Sequence, residues 1–453
     1  MSYTSNSNRP NEYASKSSHS HVINDPTVSD YLSTCALPKE QTEVLETDVT
    51  PLIDIGGVAS DLQHVIAIDG GYTEAIVKKK FPSSKIAFFQ FGALFFDLEH
   101  LQEISDSEFI FPEDMAKFKQ LERFKLVLPI KNMVYSDAGS LTDSIRKTIH
   151  QFFLLKRDKR DFYTTLKWLV FEEFLEEPKS NYVLANCPHC STRNIKIERE
   201  KIGDDFSFKC NNCDNELFLI DIFRLHEAVD DEIGAGGILG YVTTLIEQIV
   251  MAHYIKYILE QQPSLLNKLF FLKDGPLAFF GQTANMHKPF RSLCNYLADK
   301  HNLFIAGLEK SGAFVEHALE ITKDIQDYNS LLKNGQCLLL SNKYIYKYIL
   351  PKSGDSIEPY ARTSYYGGKV IYKSQSGRVY VVTIPVKNER IVLDPQENDF
   401  KNLKSILSTI DKLKCDMFDN SLLPIALANK LVSLAYHPSG VLLEKFAKER
   451  ITH

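Results

Sequence analysis

No stretch of the 453 residues stays apolar and uninterrupted for the roughly 20 positions that a membrane-spanning helix needs. The nearest approach, GGILGYVTTLIEQIVMAHYIKYIL, is broken by Glu247, His253 and Lys256, each costly in lipid, and reads as a long helix of a soluble protein. An export signal is missing as well. The opening MSYTSNSNRPNEYASKSSHSHV is polar and rich in Ser and Asn, with no apolar run, so it reads as a disordered lead and the chain is expected in the cytoplasm. There is no excess of basic residues: 52 Lys and Arg stand against 58 Asp and Glu, a formal net charge of −6. That balance excludes a protein coated in positive charge, such as one that packages RNA or chromatin. It leaves nucleic acid open as a ligand, because acids gathered at one site and bases lining a path cancel in the total. Internal repeats and long blocks of like charge are also absent. What remains is globular in composition, 44% hydrophobic and 24% charged, and long enough for two or three domains of about 150 residues.

Four of the eight cysteines form the pairs CPHC (Cys187, Cys190) and CNNC (Cys210, Cys213). Residues 191 to 209 separate them, inside the roughly 15–20-residue window of a four-cysteine zinc site. Zinc needs four thiolates at the corners of a tetrahedron, and each C-x-x-C turn supplies two. Between the pairs, NIKIERE and FSFK alternate around GDD, which predicts a hairpin and hence a zinc ribbon. Two disulfides are the weaker reading, since nothing in the sequence suggests an oxidising compartment. The ribbon is expected to be structural, because its flank offers only a modest basic face in Arg193, Lys196, Arg199 and Lys201. Cys35, Cys294, Cys337 and Cys415 are scattered and read as buried or neutral thiols.

The run Val65-Ile66-Ala67-Ile68 reads as a buried strand, and Asp69-Gly70-Gly71 follows it directly. Taken alone, Asp-Gly-Gly reads better as a hairpin turn than as a site. After it, KIAFFQFGALFFDL is expected as two strands or one bulged strand at Gly92, and residues from about 112 to 180 read as helical. A long helix spans 236 to 262. LNKLFFLKDGPLAFF then gives a second apolar strand that ends in an acid and a glycine, Asp274-Gly275. HNLFIAGLEKSG gives a third, ending at Lys310; a hairpin KVIYKSQSGRVYVVTIP and a helical region from about 421 close the chain. Two aspartates at the ends of strands that can lie side by side shift the reading from a turn to a metal-sharing site.

In order and context these segments resemble the NurA nuclease family, DNA-end-processing enzymes with an RNase H-like core that work with HerA-type hexameric ATPases. The likeness rests on IAIDGG, a meander, a long helix carrying an acid, FLKDGPL, LEKSG, a hairpin and LPIALANKLVSL, over residues 55 to 110 and 236 to 445. It implies an α/β fold, a mixed RNase H-like sheet flanked by helices, with an inserted helical segment and the four-cysteine ribbon. The divisions would be a lead at 1–44, the first part of the core at 45–111, the insertion at 112–235 with the ribbon at 187–213, and the second part of the core at 236–453. Position by position, Asp69 and Asp274 match the family's metal-binding aspartates, and Glu247 matches its helix-borne glutamate, with Glu260 and Glu232 as rivals. Where the family tends to have Ala-His this chain reads Ala428-Asn429, with His437 nearby but outside the motif.

The resemblance further implies hydrolysis of DNA with Mn or Mg, two ions held by Asp69, Glu247 and Asp274, alongside a structural Zn held by the cysteines. It implies a homodimer docked on a HerA-type ATPase. Lys310, Lys288 and Arg291 are the basic residues expected to meet substrate phosphates, with little reading of base sequence. Tyr365 and Tyr366 suit packing better than base stacking. Two other classes stay open. DGGYT resembles the phosphate loop of actin-like sugar kinases, although a second such loop is missing, and the ribbon could serve a non-catalytic DNA-binding adaptor.

Overall fold

Among the described residues a nine-stranded mixed sheet organises the chain, in the order β1-β11-β12-β13-β10-β9-β2-β3-β4. Its strands are β1 (Leu52–Asp54), β2 (His64–Lys78), β3 (Ser84–Asp97), β4 (Lys119–Lys131), β9 (Leu269–Asp274), β10 (Phe304–Glu309), β11 (Gln336–Leu339), β12 (Gly367–Lys373) and β13 (Val379–Pro385). Two small hairpins lie outside it, β5 (Asn181–Asn186) with β6 (Arg193–Glu198), and β7 (Ser207–Lys209) with β8 (Glu216–Phe218). The computed structural model describes residues 16–35, 37, 39–49, 51–56, 60–78, 80, 82–105, 119–157, 160–323, 330–351, 358–416, 420–434 and 439–451. Helices of eight residues or more are α1 (Lys16–Ile23), α2 (Pro26–Thr34), α3 (Leu98–Ser105), α4 (Leu141–Leu154), α5 (Phe162–Val170), α6 (Leu239–Gln261), α7 (His287–Lys300), α8 (Ala313–Ile321), α9 (Leu403–Lys412), α10 (Leu423–Val432) and α11 (Ser439–Ile451).

Five strands carry the arrangement that matters for the site. β3 runs antiparallel to β2 and β4, while β9 is parallel to β2 and β10 is parallel to β9. In chain order these strands lie 3-2-1-4-5 with the second reversed, the mixed RNase H-like sheet expected from the sequence. Strand periodicity divides their side chains between two cores. Ile66 and Ile68 of β2, with Phe271 of β9, face a core built with α4, α5, α6 and α7. Val65 and Ala67, with Phe270 and Leu272, face the other core, built with α3, α9 and α10.

Several expectations are corrected. Asp69-Gly70-Gly71 is no turn: β2 continues through it, paired with β3 as far as Lys78 opposite Ser84. The parallel pairing with β9 does end there, at Ile68 opposite Lys273, so Asp69 sits mid-strand where one side of β2 loses its neighbour. Of the two readings of KIAFFQFGALFFDL, the single bulged strand holds, irregular against β4 at Ala93 and Leu94, next to Gly92. The segment read as helical from about 112 supplies a sheet strand, β4, because Phe124, Leu126, Leu128 and Ile130 point inward with charged Arg123 and Lys125 between them. The sheet therefore draws on residues beyond 111. NIKIERE and FSFK do not pair with each other; each pairs outward, with NYVLAN and with NELF respectively. The lead is helical at α1 and α2, the latter capped by the Asp25 side chain, although no described residue of α2 is buried. Residues 1 to 15 lie outside the described residues.

One helix among the described residues, Gly236–Gln261, is long and apolar enough to cross a membrane, and 72% of that window is buried inside the fold. It is a core helix. His253 accepts or donates at 2.7 Å with Thr165 of α5, and burial pulls its imidazole down to about 4. Lys256 is tied to Glu260 one turn on.

The end of β9 is held by a close backbone crossing. Gly275 has φ +80°, and a Cβ on Gly307 of β10 would lie 2.5 Å from the Gly275 carbonyl and 2.9 Å from the Leu277 nitrogen. Backbone cannot yield as a flexible side chain can, so Gly307→Ala is expected to cost about 1–3 kcal/mol. A denaturant midpoint unchanged from the parent would contradict this.

Candidate active site

Asp69, Glu247 and Asp274 come together at the end of β9. β2 and β9 are in parallel register up to Ile68 and Lys273, so the next residues, Asp69 and Asp274, lie side by side on one face. Glu247 arrives from the opposite face on α6. Gly70 admits it: a Cβ there would lie 3.1 Å from Glu247 Oε1 and 2.6 Å from Phe91 Cδ1. Glu247 is 5% exposed, whereas its rivals Glu232 and Glu260 are exposed. The adjacent Gln248 fixes the helix: its amide donates to the Ala278 carbonyl at 2.9 Å and its oxygen accepts from the Tyr366 hydroxyl at 2.7 Å.

The electrostatics of the three acids differ. Asp69, 3% exposed, accepts from the Gly70 N–H at Oδ1 (2.8 Å), while its Oδ2 is buried with no hydrogen-bond partner. Burial raises its carboxyl well above the usual range, and the charges of Asp274 and Glu247 add to the rise. Burial also raises Glu247, although Lys273 opposes it from 2.8 Å at Oε2. Asp274 is paired with Lys310 at 2.6 Å through Oδ2. Beside this group Glu309, at the end of β10, pairs with the buried Lys369 and accepts from Thr383 at 3.3 Å. An orphaned, buried carboxylate oxygen flanked by two further carboxylates is a donor set that suits a hard divalent cation.

Of the basic residues expected near substrate, Lys310 alone contacts this group. Lys288 is exposed on the first turn of α7. Arg291 turns inward, held by Glu389 at 2.7 Å and by the Tyr365 carbonyl at 2.6 Å, so it braces the fold instead of lining an open path. Tyr366 is fully buried against Phe279 and Phe290. Asn429 is exposed near the end of α10, Ala428 is buried, and His437 lies outside the described residues. The straight course of β2 also removes the phosphate loop that DGGYT suggested.

Sequence reasoning missed Lys273, Glu309 and Lys369. Each left the same trace, a charge inside or ending an apolar strand, in LFFLKD, FIAGLE and GGKVIYK. Such a residue must find a buried partner.

The four cysteines form a second cluster. Among the described residues they are the one group of three or more Cys, His, Asp or Glu donors whose ligand atoms all lie within 4.8 Å of one another. Sγ atoms of Cys187 and Cys213, and of Cys190 and Cys210, are 3.9 Å apart. Thiolates about 2.3 Å from a shared tetrahedral ion lie at nearly that separation. The two pairs occupy the tips of the β5–β6 and β7–β8 hairpins with matching backbone geometry. Cys187 N–H donates to Thr192 and Cys210 N–H to Asn215, and the residues after the second cysteines, Ser191 and Asp214, have φ of 58° and 56°. Burial pushes Cys187 up to about 12, while hydrogen bonds from Thr192 and Asn212 pull Cys190 down to about 5. A bound cation would hold all four as thiolates. Arg146 of α4 clamps the cluster from below. It makes two 2.8 Å bonds to Asp221, meets His189 at 3.0 Å and donates to the Glu216 carbonyl at 3.3 Å.

No protein-family profile and no curated protein matches the sequence. Among solved structures, the chain is similar to the NurA nuclease from Sulfolobus solfataricus, at 8% identity over 97% of this chain and 98% of that one, with a TM-score of 0.35. It is also similar to a NurA structure with manganese (11% identity, 95% and 97% covered, TM-score 0.29) and to a further NurA structure (11%, 96% and 97%, 0.28).

The raised Asp69 carboxyl has a stability consequence. A folded-state pKa above the unfolded one gives stability that is present below the unfolded value, near 4, and lost as pH rises through the folded value. In chelator at neutral pH, Asp69→Asn is expected to melt a few degrees above the parent, with the gap closing toward pH 4. Glu247→Leu is expected to do the reverse, losing about 3–5 kcal/mol because Lys273 is left buried without its counter-charge. Thermal scans of both variants across pH check the pair, and an Asp69→Asn protein that melts below its parent would refute the first.

Proposed function

We propose that the chain is a metal-dependent DNA nuclease that hydrolyses phosphodiester bonds, with Asp69, Glu247 and Asp274 as its metal-holding carboxylates. The observation that carries this reading is the buried, partnerless Asp69 Oδ2 flanked by the other two acids. Oxygen donors of this kind suit Mn or Mg. A divalent ion held there supplies a water of lowered pKa and offsets charge on the phosphate. The chain's own side chains set the stage for it. Gly70 and Gln248 hold Glu247 in place, and Lys310, about one-third exposed, is placed to leave Asp274 for a substrate phosphate.

DNA as the substrate follows from the motif order that resembles NurA, as do a cytoplasmic setting, a homodimer and a HerA-type ATPase partner in end processing for repair or phage defence. Val441, Leu442 and Phe446, exposed on α11, supply an apolar face for such an assembly. The cysteine cluster would hold zinc and act structurally, within an insertion that interrupts the nuclease core.

Cleavage of a DNA oligonucleotide in Mn²⁺ tests the reading. Asp69→Ala and Asp274→Ala should each abolish cleavage with the fold retained, and cleavage at the parental rate in either variant would reject it. Binding without any cleavage by the parent would favour the adaptor. Lys310→Ala should weaken binding alike on unrelated sequences, and affinity should fall with salt at a log–log slope of about −0.7 to −0.9 per neutralised phosphate.

Zinc is tested separately. Elemental analysis should find about one zinc per chain. Stripping it should expose residues 181–218 to protease before cleavage is lost, and finding that zinc drives cleavage would overturn the structural role.

A further inference from the structure

Two lysines already sit among the three carboxylates, and they are held differently. Lys273 is 2% exposed, 2.8 Å from Glu247 Oε2, with its ammonium also donating to the Asp274 carbonyl. Its strand lies between β2 and β10, with Ile68 opposite it on one side and Gly307 on the other, so the ammonium cannot withdraw to solvent. Lys310 pairs with Asp274 from a side chain that is 30% exposed and can turn outward. Asp69 is left with the one carboxylate oxygen of the group that is buried and unpartnered.

Resting on the nuclease reading but narrowing its three metal-holding carboxylates to two, we propose that Lys273 takes the place of a second metal ion at Glu247, so that the site holds a single divalent cation, between Asp69 and Asp274. In two-ion sites the carboxylates bridge ions about 3.5–4 Å apart and balance four positive charges. Here a fixed ammonium already satisfies Glu247, and a second divalent ion at Glu247 would face it at close range or force it out unpaired into the interior. Lys273 is thus a positioning residue. It holds Glu247 against Gly70 and supplies the positive charge that the second ion supplies elsewhere, while Lys310 is the cation free to move to the substrate. This departs from the two ions that the sequence resemblance implies.

The test counts ions. The full chain, with its cysteine cluster zinc-loaded, is titrated with Mn²⁺ alone, and free Mn²⁺ is followed by electron paramagnetic resonance alongside calorimetry. The parent should bind about one Mn²⁺ per chain, Asp69→Asn should bind none, and Lys273→Arg, which keeps the charge, should still bind about one. Lys273→Met should bind about two, and the Mn²⁺ dependence of its cleavage should steepen from a Hill coefficient of about 1 to about 2. Two ions in the parent would overturn the proposal while leaving the nuclease reading intact. A folded Lys273→Met that still binds one ion would overturn it too. No binding by the parent would overturn both. Should Lys273→Met fail to fold, the parent and Lys273→Arg counts still decide.

Discussion

Two buried acids, Asp69 and Glu247, with the half-buried Asp274 beside them, are the constraint on which the rest depends. Burial first and mutual repulsion second make such a cluster take up protons, and the raised carboxyls of Asp69 and Glu247 record that tendency. The fold tolerates it because two lysines lie in the same place and because rigid elements leave the acids no retreat. The parallel register of β2 and β9 sets Asp69 beside Asp274, and Gly70 lets Glu247 approach strand backbone closely. Holding the acids in this arrangement therefore costs stability.

α6 links this cluster to the cysteine cluster. It buries residues on all sides, so one side meets the sheet and another meets α5. Cys187 and Cys210 belong to the same apolar core as Leu245, Ile249 and Ile68. The pair of hairpins that carries the cysteines is accordingly not a free module hung on a loop. Arg146 reinforces the junction by bonding at once to Asp221 and to backbone and side chain beside the cysteines.

How much of this was legible in the sequence varies by physical cause. The cysteine cluster was legible because ligand spacing is local. The runs ending in Asp69 and Asp274 stood out because strand burial is written in consecutive apolar residues. The hairpin partners of the ribbon were misread, since NIKIERE could alternate equally well against either neighbour, and pairing is a long-range choice. β4 was misread because an edge strand with Arg123 and Lys125 on its open face carries as much charge as a surface helix. Lys273 was passed over because its meaning depends on Glu247, on another element, and nothing in the local text announces that pairing. Arg291 was misplaced for the same reason, its partner Glu389 being far along the chain.

Gly71 and Gly92, both on the Asp69 face, leave a bare patch on which the end of α10 rests. A Cβ on either would lie about 3 Å from Val432 atoms, and the Gln90 side chain donates to the Leu431 carbonyl across 341 positions of sequence. The floor of the site and its roof are thus drawn from segments 341 positions apart in the sequence. A chain still on the ribosome carries Asp69 without the helix that covers it, and contacts so distant in sequence are late and slow to form. The face around Asp69 is therefore completed only when β2 and β3 have met α10 across most of the fold.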